Sequence, residues 1–326
     1  MNDMFLSVIA VLVITGLTVA ARIPSLPASC LETCDSPRDF AEYCAPQIII
    51  GGAMKCGTNA ISHYLSLHPA VGPVLRREQH FYSSSKWVQP DFRREYFSMY
   101  TLNRENKGTN RSCMIDRSPS YIESPHVVAR ILADAPNSRI IFVLCNPAER
   151  LWSEYYHYQA RVAKLVPNQL FAKPFPEFAN LVLSQAPDCS TRRKRKLFSD
   201  IERTACKVSQ KGFYSKNLES FSNLFARNQV FLCDGELLQD GSTRLETLDA
   251  AFAFLGLSPL PLEMIPHLDK DIYVNPQKPS FKLMDSVHER RIMNHYEGDH
   301  WKLRRWGFEP SWFVPKTISN RKTDRD

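Results

Sequence analysis

The sequence predicts an α/β domain built on a mostly parallel, P-loop-like sheet with helices on both faces. Three runs of β-branched and other apolar residues are typical of buried strands, at positions 47–50, 139–144 and 230–233. Each run is followed by a turn and then by apolar residues at helical spacing. Strands that alternate with helices in this way favour a parallel sheet that is covered on both sides.

The first of these units is a strand, a glycine-containing loop and a helix. The run QIII at 47–50 leads into a Gly-Gly pair, which lets the backbone turn sharply. Apolar residues between positions 61 and 68 then fall at helical spacing, and Pro69 is expected to end the helix.

Two further units follow the same pattern. The second apolar run, 139–144, leads to a helix that is expected to begin near Ala148. After the third run, Thr243 and Glu246 have the spacing of a capping box, and Gly256 is expected to end the helix that they open.

The stretch 160–210 departs from this alternation. It is rich in Pro, Lys and Arg and contains a basic run at 192–196. We interpret it as an insertion or a long surface segment. The basic run is a candidate for docking an anionic glycan, and a solvated loop or a processing site is an equal alternative.

An apolar run from Met4 to Ala21 precedes the predicted domain. Its length is at the lower limit for crossing ~30 Å of hydrocarbon. It is either an uncleaved signal anchor or a cleaved signal peptide, because the small residues at 18–21 form a cleavage context. Both alternatives send the chain into the secretory lumen. The predicted divisions are the signal segment 1–21, a stem or linker 22–46, one domain 47–315 and a polar tail 316–326.

The nine cysteines are an odd number for a chain in an oxidising lumen. At least one is therefore expected to be free or to pair with another chain. Cys189 and Cys206 bracket the basic run, and we hypothesise that they close a loop. The triplet at 110–112 is a glycosylation sequon, which is weak support for a lumenal location because such triplets are common by chance.

The charge balance favours anionic partners. Lys and Arg total 41 against 34 Asp and Glu, which leaves a net charge of +7. Nucleic acid, acidic lipid and sulfated or uronate-rich glycan all meet this condition, and charge alone does not choose among them. An apolar content of 44% excludes global disorder.

The loop GGAMKCGTN at 51–59 has the features of an anion site. A strand that feeds a loop of small residues and then a helix directs backbone N–H groups and the positive end of the helix dipole at a ligand. Lys55 adds a full charge, and Thr58 and Asn59 add hydrogen-bond donors. The alternative is a tight strand-to-helix turn that happens to carry a surface lysine.

The same loop argues against a P-loop kinase or NTPase. A Walker A loop ends in Gly-Lys followed by Ser or Thr, whereas Lys55 precedes the final glycine here. The sequence also offers no clear Mg²⁺-binding Asp after a strand.

Five segments together resemble the motifs of Golgi carbohydrate sulfotransferases. In chain order they are IIIGGAMKCGTNAISHYLSLHP, REQHFY, RSPSYI, RIIFVLCNPAERLWSEYYHY and KGFYSKNLESF, which fall within about residues 46–310. The chain is most similar to heparan sulfate sulfotransferases and to the N-acetylgalactosamine 4-sulfate 6-O-sulfotransferase group. The resemblance implies a single sulfotransferase domain that transfers a sulfuryl group to a carbohydrate hydroxyl. The implied location is the Golgi membrane, with the catalytic domain in the lumen; the alternative is a secreted protein.

The resemblance also implies the donor, 3′-phosphoadenylyl sulfate (PAPS), and its site, with no metal ion. Lys55 would contact the bridging and sulfuryl oxygens and stabilise the departing phosphate. Ser153 would bind the 3′-phosphate, and Lys278 matches a donor-clamping loop only approximately. The implied donor-binding residues are Lys55, Cys56, Gly57, Thr58, Asn59, Arg150, Ser153, Tyr214 and Lys278.

The acceptor side is implied by three residues. Glu78 matches the family's catalytic glutamate, which would take the proton of the attacking hydroxyl. His80 lies two residues later and is the second candidate for the base, because residues i and i+2 of an extended segment face one side. Arg117 stands where relatives carry a Lys that reaches the substrate. The implied acceptor is an anionic glycan of the glycosaminoglycan class, and nucleic acid is not an expected partner.

One position departs from the family pattern. Relatives have an Arg that pairs with the 3′-phosphate where this chain has Cys145, and a neutral thiol cannot make that charge-assisted contact. We expect an active but divergent enzyme. The alternative is a catalytically weakened glycan-binding protein on the same fold.

Overall fold

A computed structural model of the chain contains four strands: β1 (Ile48–Gly52), β2 (Ile115–Arg117), β3 (Arg139–Leu144) and β4 (Val230–Asp234). They form one parallel sheet in the order β2-β1-β3-β4. The α/β fold with a parallel sheet is confirmed.

The structure describes residues 30, 35–37, 39–76, 78–105, 113–162, 169–185, 198–269 and 284–313. Several predictions fall outside these residues: the apolar run at 4–21, the sequon at 110–112, the basic run at 192–196, Lys278 and the tail 316–326.

Ten α-helices surround the sheet in the described part of the chain. They are α1 (Thr58–Leu65), α2 (Pro90–Glu105), α3 (Pro125–Asp134), α4 (Pro147–Val162), α5 (Phe175–Leu183), α6 (Asp200–Gln210), α7 (Tyr214–Leu224), α8 (Gly235–Gln239), α9 (Arg244–Phe254) and α10 (Ser286–His300). Short 3₁₀ segments include Tyr121–Glu123, directly before α3, and Trp301–Trp306, directly after α10.

The central strands are apolar because they are covered on both faces. Every residue of β1 and β3 is buried. Successive side chains of a strand point to opposite faces. The ring of Phe142 packs against Phe221 of α7 at 4.8 Å between centroids, whereas Val143 faces the start of α1 near Gly57. Helices therefore cover both faces of the sheet, as predicted.

The strand-and-helix units predicted from apolar periodicity are confirmed at β1–α1, β3–α4 and β4–α9. Thr243 is the N-cap of α9, but its side chain makes no capping hydrogen bond, so the capping box does not form. Gly256 lies beyond the end of the helix with a φ of 70°, which favours glycine. Strand β2 was not predicted, because three residues are too short for a periodic signal.

The prediction of a surface segment at 160–210 is wrong for two of its parts. Helices α5 and α6 lie within it, and they bury Phe178 and Val208, which are 0% and 3% exposed. These residues belong to a second hydrophobic cluster with Trp152 and Tyr155 of α4. The stretch therefore contributes a core of its own beside the sheet.

The stretch predicted as a stem also packs against the domain where it is described. Cys30 is buried and forms a disulfide with Cys113, and the ring of Phe40 is 6% exposed within the main core. The side chain of Asp35 accepts hydrogen bonds from Asn137. These residues therefore do not form a free linker, because apolar contacts and a disulfide attach them to the domain.

The cysteines follow the expectation of an oxidising compartment. Cys56 is bonded to Cys145, and Cys44 and Cys206 are also in disulfides. Cys233 is a free, buried thiol, which confirms the prediction of at least one free cysteine. Cys189 lies outside the described residues, so its pairing with Cys206 stays a prediction. None of the helices that the structure describes is long and apolar enough to cross a membrane.

Candidate functional site

The loop between β1 and α1 leaves the carboxyl edge of the sheet and turns sharply. The Cys56 N–H donates to the Ala53 carbonyl at 3.2 Å, which closes the turn. Lys55 has a φ of 72°, and Gly57, the N-cap of α1, has a φ of 101°. The left-handed conformation at position 57 explains why glycine stands there.

The start of α1 has the features of an anion site. Its first turn contains no acidic residue, and no side chain caps it. The backbone N–H groups and the helix dipole therefore present partial positive charge toward the loop. Lys55 is half-buried beside this end, Thr58 is buried and Asn59 is exposed. The loop thus brings four predicted donor-binding residues, Lys55, Gly57, Thr58 and Asn59, to one helix terminus.

Two of the sequence-predicted residues are joined covalently. Cys56 of the loop forms a disulfide with Cys145, the residue directly after β3. The expectation of a neutral thiol at position 145 is therefore wrong: its sulfur belongs to a bond that crosses between adjacent strand ends. Spacing along the chain gives no signal for this pair, because 89 positions separate the two residues.

Tyr214 lies beneath this disulfide. Its side chain is fully buried, and its hydroxyl donates to the Cys145 carbonyl at 3.0 Å. The same oxygen is 3.3 Å from the Cys56 sulfur. Burial raises the pKa of Tyr214 well above its ordinary value. Tyr214, a predicted donor-binding residue, thus contacts both cysteines of the disulfide that is attached to the loop.

Helix α4 carries the predicted 3′-phosphate residues in two different environments. Ser153 is 8% exposed, whereas Arg150 is fully buried. The Arg150 guanidinium donates to Glu154 at 2.6 Å and to the Val208 carbonyl at 3.3 Å. The structure therefore places Arg150 in an internal ion pair with Glu154, and its predicted place near the 3′-phosphate stays a prediction.

Glu154 joins this pair to Lys211. The ammonium of Lys211 lies 2.6 Å from the second carboxylate oxygen of Glu154. Burial raises the pKa of Glu154, but Lys211 and Arg150 outweigh it and hold the pKa below its ordinary value. Burial likewise opposes the charge on Lys211, yet Glu154 and Glu123 raise its pKa to about 12. All three members of this cluster, Arg150, Glu154 and Lys211, are therefore charged at neutral pH.

Glu78 and His80 form the second half of the site. The His80 ring donates from Nε2 to the Glu78 carboxylate at 3.3 Å, and Arg117 lies 4.0 Å from the other carboxylate oxygen. The hydrogen bond from His80 is the main cause that lowers the pKa of Glu78; burial opposes it, and the charges of His80, Arg117 and His157 lower the pKa further. Glu78 is thus an ionised carboxylate at neutral pH, able to accept a proton.

The segment that carries this cluster adopts an unusual backbone. Glu78 and His80 both have positive φ, at 38° and 50°. Such conformations persist only where neighbouring contacts fix them. Here the backbone N–H of His80 donates to the Ser118 hydroxyl at 2.9 Å, and the Ser120 hydroxyl is 2.8 Å from Nδ1 of the His80 ring.

A buried carboxylate supports these contacts from below. Asp116 of β2 accepts from the Ser118 hydroxyl at 2.7 Å and from Tyr96 and Tyr121 at 2.7 and 2.8 Å. Burial raises the pKa of Asp116, and these hydrogen bonds oppose the rise. We did not identify Asp116, Ser118 or Ser120 from the sequence. The only signal was the RSPSYI segment, in which the two serines had no assigned role.

Strand pairing brings the two halves of the site together. Ile50 of β1 is in register with Arg117 of β2, and the Ser118 N–H donates to the Ile50 carbonyl at 3.1 Å. The loop therefore leaves β1 beside the point where β2 presents Arg117 and the contacts of His80. Gly52 sits against this junction, because a Cβ there would lie 2.9 Å from the Pro119 carbonyl.

A cavity of about 860 Å³ lies near the loop, since Lys211 on its wall is 3.8 Å from the sulfur of Met54; Glu78, His80 and Arg117 do not line it. Glu123, the last residue of the 3₁₀ segment Tyr121–Glu123, also lines the cavity. Its lining includes Ile122, Glu123, Glu154, Tyr158, Lys211 and Lys216. Across the described residues, no group of three or more His, Cys, Asp or Glu side chains is placed to hold a metal ion.

Comparison with known proteins places this architecture in a family. The sulfotransferase domain family matches residues 45–303 of the chain. A human protein, bifunctional heparan sulfate N-deacetylase/N-sulfotransferase 2, is 29% identical over 220 residues, which cover 66% of this chain and 22% of the relative. The chain thus spans about a fifth of that relative's length.

Two more comparisons agree with this assignment. The membrane-associated sulfotransferase kil1 of Dictyostelium discoideum is 27% identical over 113 residues, which cover 35% of this chain and 23% of that protein. The crystal structure of a sulfotransferase from Alicyclobacillus acidocaldarius superposes with a TM-score of 0.53 at 20% identity, covering 80% of this chain and 95% of the other. At that identity the superposition shows the fold alone. Because the family match covers most of the chain, the protein belongs to the sulfotransferase domain family.

Proposed function

We propose that this protein transfers the sulfuryl group of PAPS to a hydroxyl of a carbohydrate acceptor. The observation that carries the proposal is the position of the Glu78–His80–Arg117 cluster beside an anion-binding loop, at the ends of the adjacent strands β2 and β1. Membership of the sulfotransferase domain family supports sulfuryl transfer, and the geometry suggests which residues take part.

The loop fits the phosphate end of this donor. Backbone N–H groups at the start of α1, the Thr58 hydroxyl and the Lys55 ammonium together suit an anionic phosphate group. Asn59 is an exposed amide at the same end and supplies a weaker, uncharged contact. Ser153 on α4 is the remaining described candidate for the 3′-phosphate, since the Arg150 guanidinium is held by Glu154.

The proposed reaction is an in-line displacement at sulfur. The acceptor hydroxyl oxygen forms a bond to sulfur as the bond between sulfur and the bridging oxygen breaks, which releases adenosine 3′,5′-bisphosphate. Glu78 takes the hydroxyl proton, and Lys55 stabilises the charge that develops on the departing phosphate oxygen. His80 orients Glu78 through its hydrogen bond and is held in turn by Ser118 and Ser120.

The acceptor is proposed to be a glycan, and the cavity that Lys211 lines near the loop is its proposed entry. The human relative is named for heparan sulfate, and a net charge of +7 favours a polyanion such as a glycosaminoglycan. The cavity itself carries both lysines and glutamates, so neutral sugars belong in any acceptor screen. The proposed location is the Golgi membrane with a lumenal domain, or the secreted fraction.

Binding and transfer assays on three variants test the proposal. Lys55→Ala is expected to lower transfer by about 10²–10³-fold and to weaken binding of adenosine 3′,5′-bisphosphate in calorimetry, because it removes the cation at the departing oxygen. Glu78→Gln is expected to bind the bisphosphate as wild type does but to lower transfer by about 10²–10⁴-fold, because it removes the base. Transfer is measured with radiolabelled PAPS on chondroitin, dermatan, heparan and their desulfated forms.

Glu95→Gln is the matched control. Glu95 forms an exposed ion pair with Arg76, so the variant makes the same change of a carboxylate to an amide outside the cluster. Its transfer rate should equal that of wild type. Wild-type rates in Glu78→Gln would exclude Glu78 as the base. Wild-type protein that binds no bisphosphate would exclude PAPS as donor and favour the alternative, a catalytically weakened glycan-binding protein.

A further inference from the structure

We propose that the Cys56–Cys145 disulfide is a positioning element that holds the donor-binding loop in its binding-competent conformation, so that donor affinity depends on this bond being intact. The inference rests on the proposed function, because it concerns the same donor site. It assigns to the two cysteines a positioning role, which two separate thiols could not have and which involves no direct contact with the phosphate.

The bond is attached to the most constrained part of the loop. Cys56 lies between Lys55 and Gly57, whose φ values are 72° and 101°. A left-handed conformation is unfavourable for a lysine and persists only where the surroundings determine it. The same two residues present the charge and the helix start to the donor. A covalent link at Cys56 therefore acts directly on the residues whose direction matters for binding.

The other end of the bond is on a rigid element. Cys145 directly follows β3, whose last residue, Leu144, pairs with Asp234 of β4. Both cysteines are buried, at 0% and 2% exposure. The disulfide therefore ties the loop to a fixed point on the neighbouring strand. It adds to a backbone hydrogen bond from the Ala53 N–H to the Val143 carbonyl of β3, at 2.7 Å, which holds only the start of the loop.

Two neighbours enclose the bond. Gly235 packs so closely that a Cβ there would lie 2.7 Å from the Cys56 carbonyl and 3.2 Å from the Cys145 Cβ. On another side, Tyr214 donates its hydroxyl to the Cys145 carbonyl and lies 3.3 Å from the Cys56 sulfur. These contacts restrict the conformation of the linked cysteines and therefore the conformation of the loop.

The disulfide also excludes a direct ionic role for Cys145. A disulfide sulfur carries no charge and no proton, so Cys145 gives the donor no ionic contact. Its contribution is to position Lys55 and the N–H groups of α1. Breaking the bond with dithiothreitol transfers two electrons to it and yields two protein thiols and the oxidised, cyclic reagent. Reduction is therefore expected to weaken donor binding by making the loop less ordered, because the charges of the loop stay the same.

The chain offers a matched control in its other described disulfide pair. Cys30–Cys113 is also buried and joins residues 83 positions apart, compared with 89 for Cys56–Cys145. Cys113 lies just before β2, at the amino edge of the parallel sheet, whereas the loop leaves the carboxyl edge. The two bonds constrain the chain alike, but only one is attached to the donor loop.

The test compares the double variants Cys56→Ala/Cys145→Ala and Cys30→Ala/Cys113→Ala by calorimetry with adenosine 3′,5′-bisphosphate. If about a tenth of the unlinked loops remain competent, the first variant binds about tenfold more weakly. The control variant should bind within about threefold of wild type, because the affinity follows the competent fraction and that fraction is unchanged. Equal affinities in the two variants would overturn the proposal.

A second measurement uses the wild-type chain and needs no folded variant. Because coupling free energies are reciprocal, saturating bisphosphate should shift the equilibrium of Cys56–Cys145 with a dithiothreitol redox buffer toward the disulfide and leave that of Cys30–Cys113 unchanged, as read by mass spectrometry of alkylated peptides. Equal protection of both bonds, or protection of neither, contradicts the proposal. If oxidised wild type binds no bisphosphate at all, the proposed donor is wrong, which is a different result from binding that ignores the bond.

Discussion

Replacing Glu154 by Gln tests how much the buried ion cluster beneath the site contributes to stability. The Glu154 carboxylate is fully buried and lies 2.6 Å from both the Arg150 guanidinium and the Lys211 ammonium. Glutamine keeps the shape but removes the charge that compensates two buried cations. Breaking a buried ion pair by removing one partner costs about 3–5 kcal/mol, so the free energy of unfolding should fall by that amount.

The control has the same i,i+4 spacing in sequence, with Lys173 just before α5, but a different environment. Lys173 and Glu177 also form an i,i+4 ion pair, with side chains that are 28% and 54% exposed. Glu177→Gln should cost only about 0.3–0.5 kcal/mol, because solvent screens an exposed pair. The contrast between the two variants isolates the effect of burial from that of removing a carboxylate.

Urea-induced unfolding without reductant gives both free energies, and thermal unfolding gives a second reading. At ~2–4 °C per kcal/mol for a domain of this size, Glu154→Gln should lower Tm by roughly 6–20 °C. A loss below about 1 kcal/mol, close to that of the control, would show that the cations are solvated and that the cluster is not an internal support.

The pH dependence adds a signed test of the same cluster. Lys211 and Arg150 hold the pKa of Glu154 below its ordinary value against the opposing effect of burial. Its contribution to stability is thus present above the pKa of the unfolded chain and is lost as pH falls through the folded value. Wild type should lose more stability than Glu154→Gln below about pH 4.5.

Two further predictions concern the packing around Tyr214 and Tyr296. Burial lowers the pKa of His300 to about 4, so its contribution to stability is present above its unfolded pKa of about 6.5 and is lost as pH falls toward 4. His300→Phe, which keeps the ring stacked on Tyr214, should therefore show a urea midpoint that changes less between pH 6.5 and 4 than that of wild type. An unchanged pH slope would contradict the assignment. Gly212→Ala should cost about 1–3 kcal/mol, because its Cβ would lie 2.4 Å from the Tyr296 ring, whereas Gly241→Ala, with nothing within 4 Å, should change the unfolding free energy by less than ~0.5 kcal/mol. Equal costs for the two glycine variants would refute the packing argument.

The proposed function depends on two kinds of residue, those that contact the reacting atoms and those that position them. Lys55 and Glu78 are proposed to touch the reacting atoms. His80 positions Glu78 through a hydrogen bond, and Ser118, which donates to Asp116, holds His80. Changes in the second group should therefore affect transfer through the orientation of Glu78, with the charge on Lys55 unaltered.

Local chemistry determined much of the fold. The apolar runs that became β1, β3 and β4 were visible because strands buried on both faces need continuous apolar residues. The donor loop was visible as well, since a tight turn into a helix requires glycine at a position such as Gly57. Strand β2 was missed because three residues carry no periodicity, although Arg117, its last residue, was identified from the RSPSYI motif.

The contacts of the motif residues depend on the tertiary structure. Sequence motifs predicted Cys56, Cys145, Arg150 and Tyr214 as neighbours of the proposed donor site, but they gave no sign that Cys56 and Cys145 are bonded to each other or that Arg150 and Tyr214 are buried. The physical reason is that secondary structure depends on neighbours a few positions apart, whereas a disulfide across 89 positions depends on how strands pair in space.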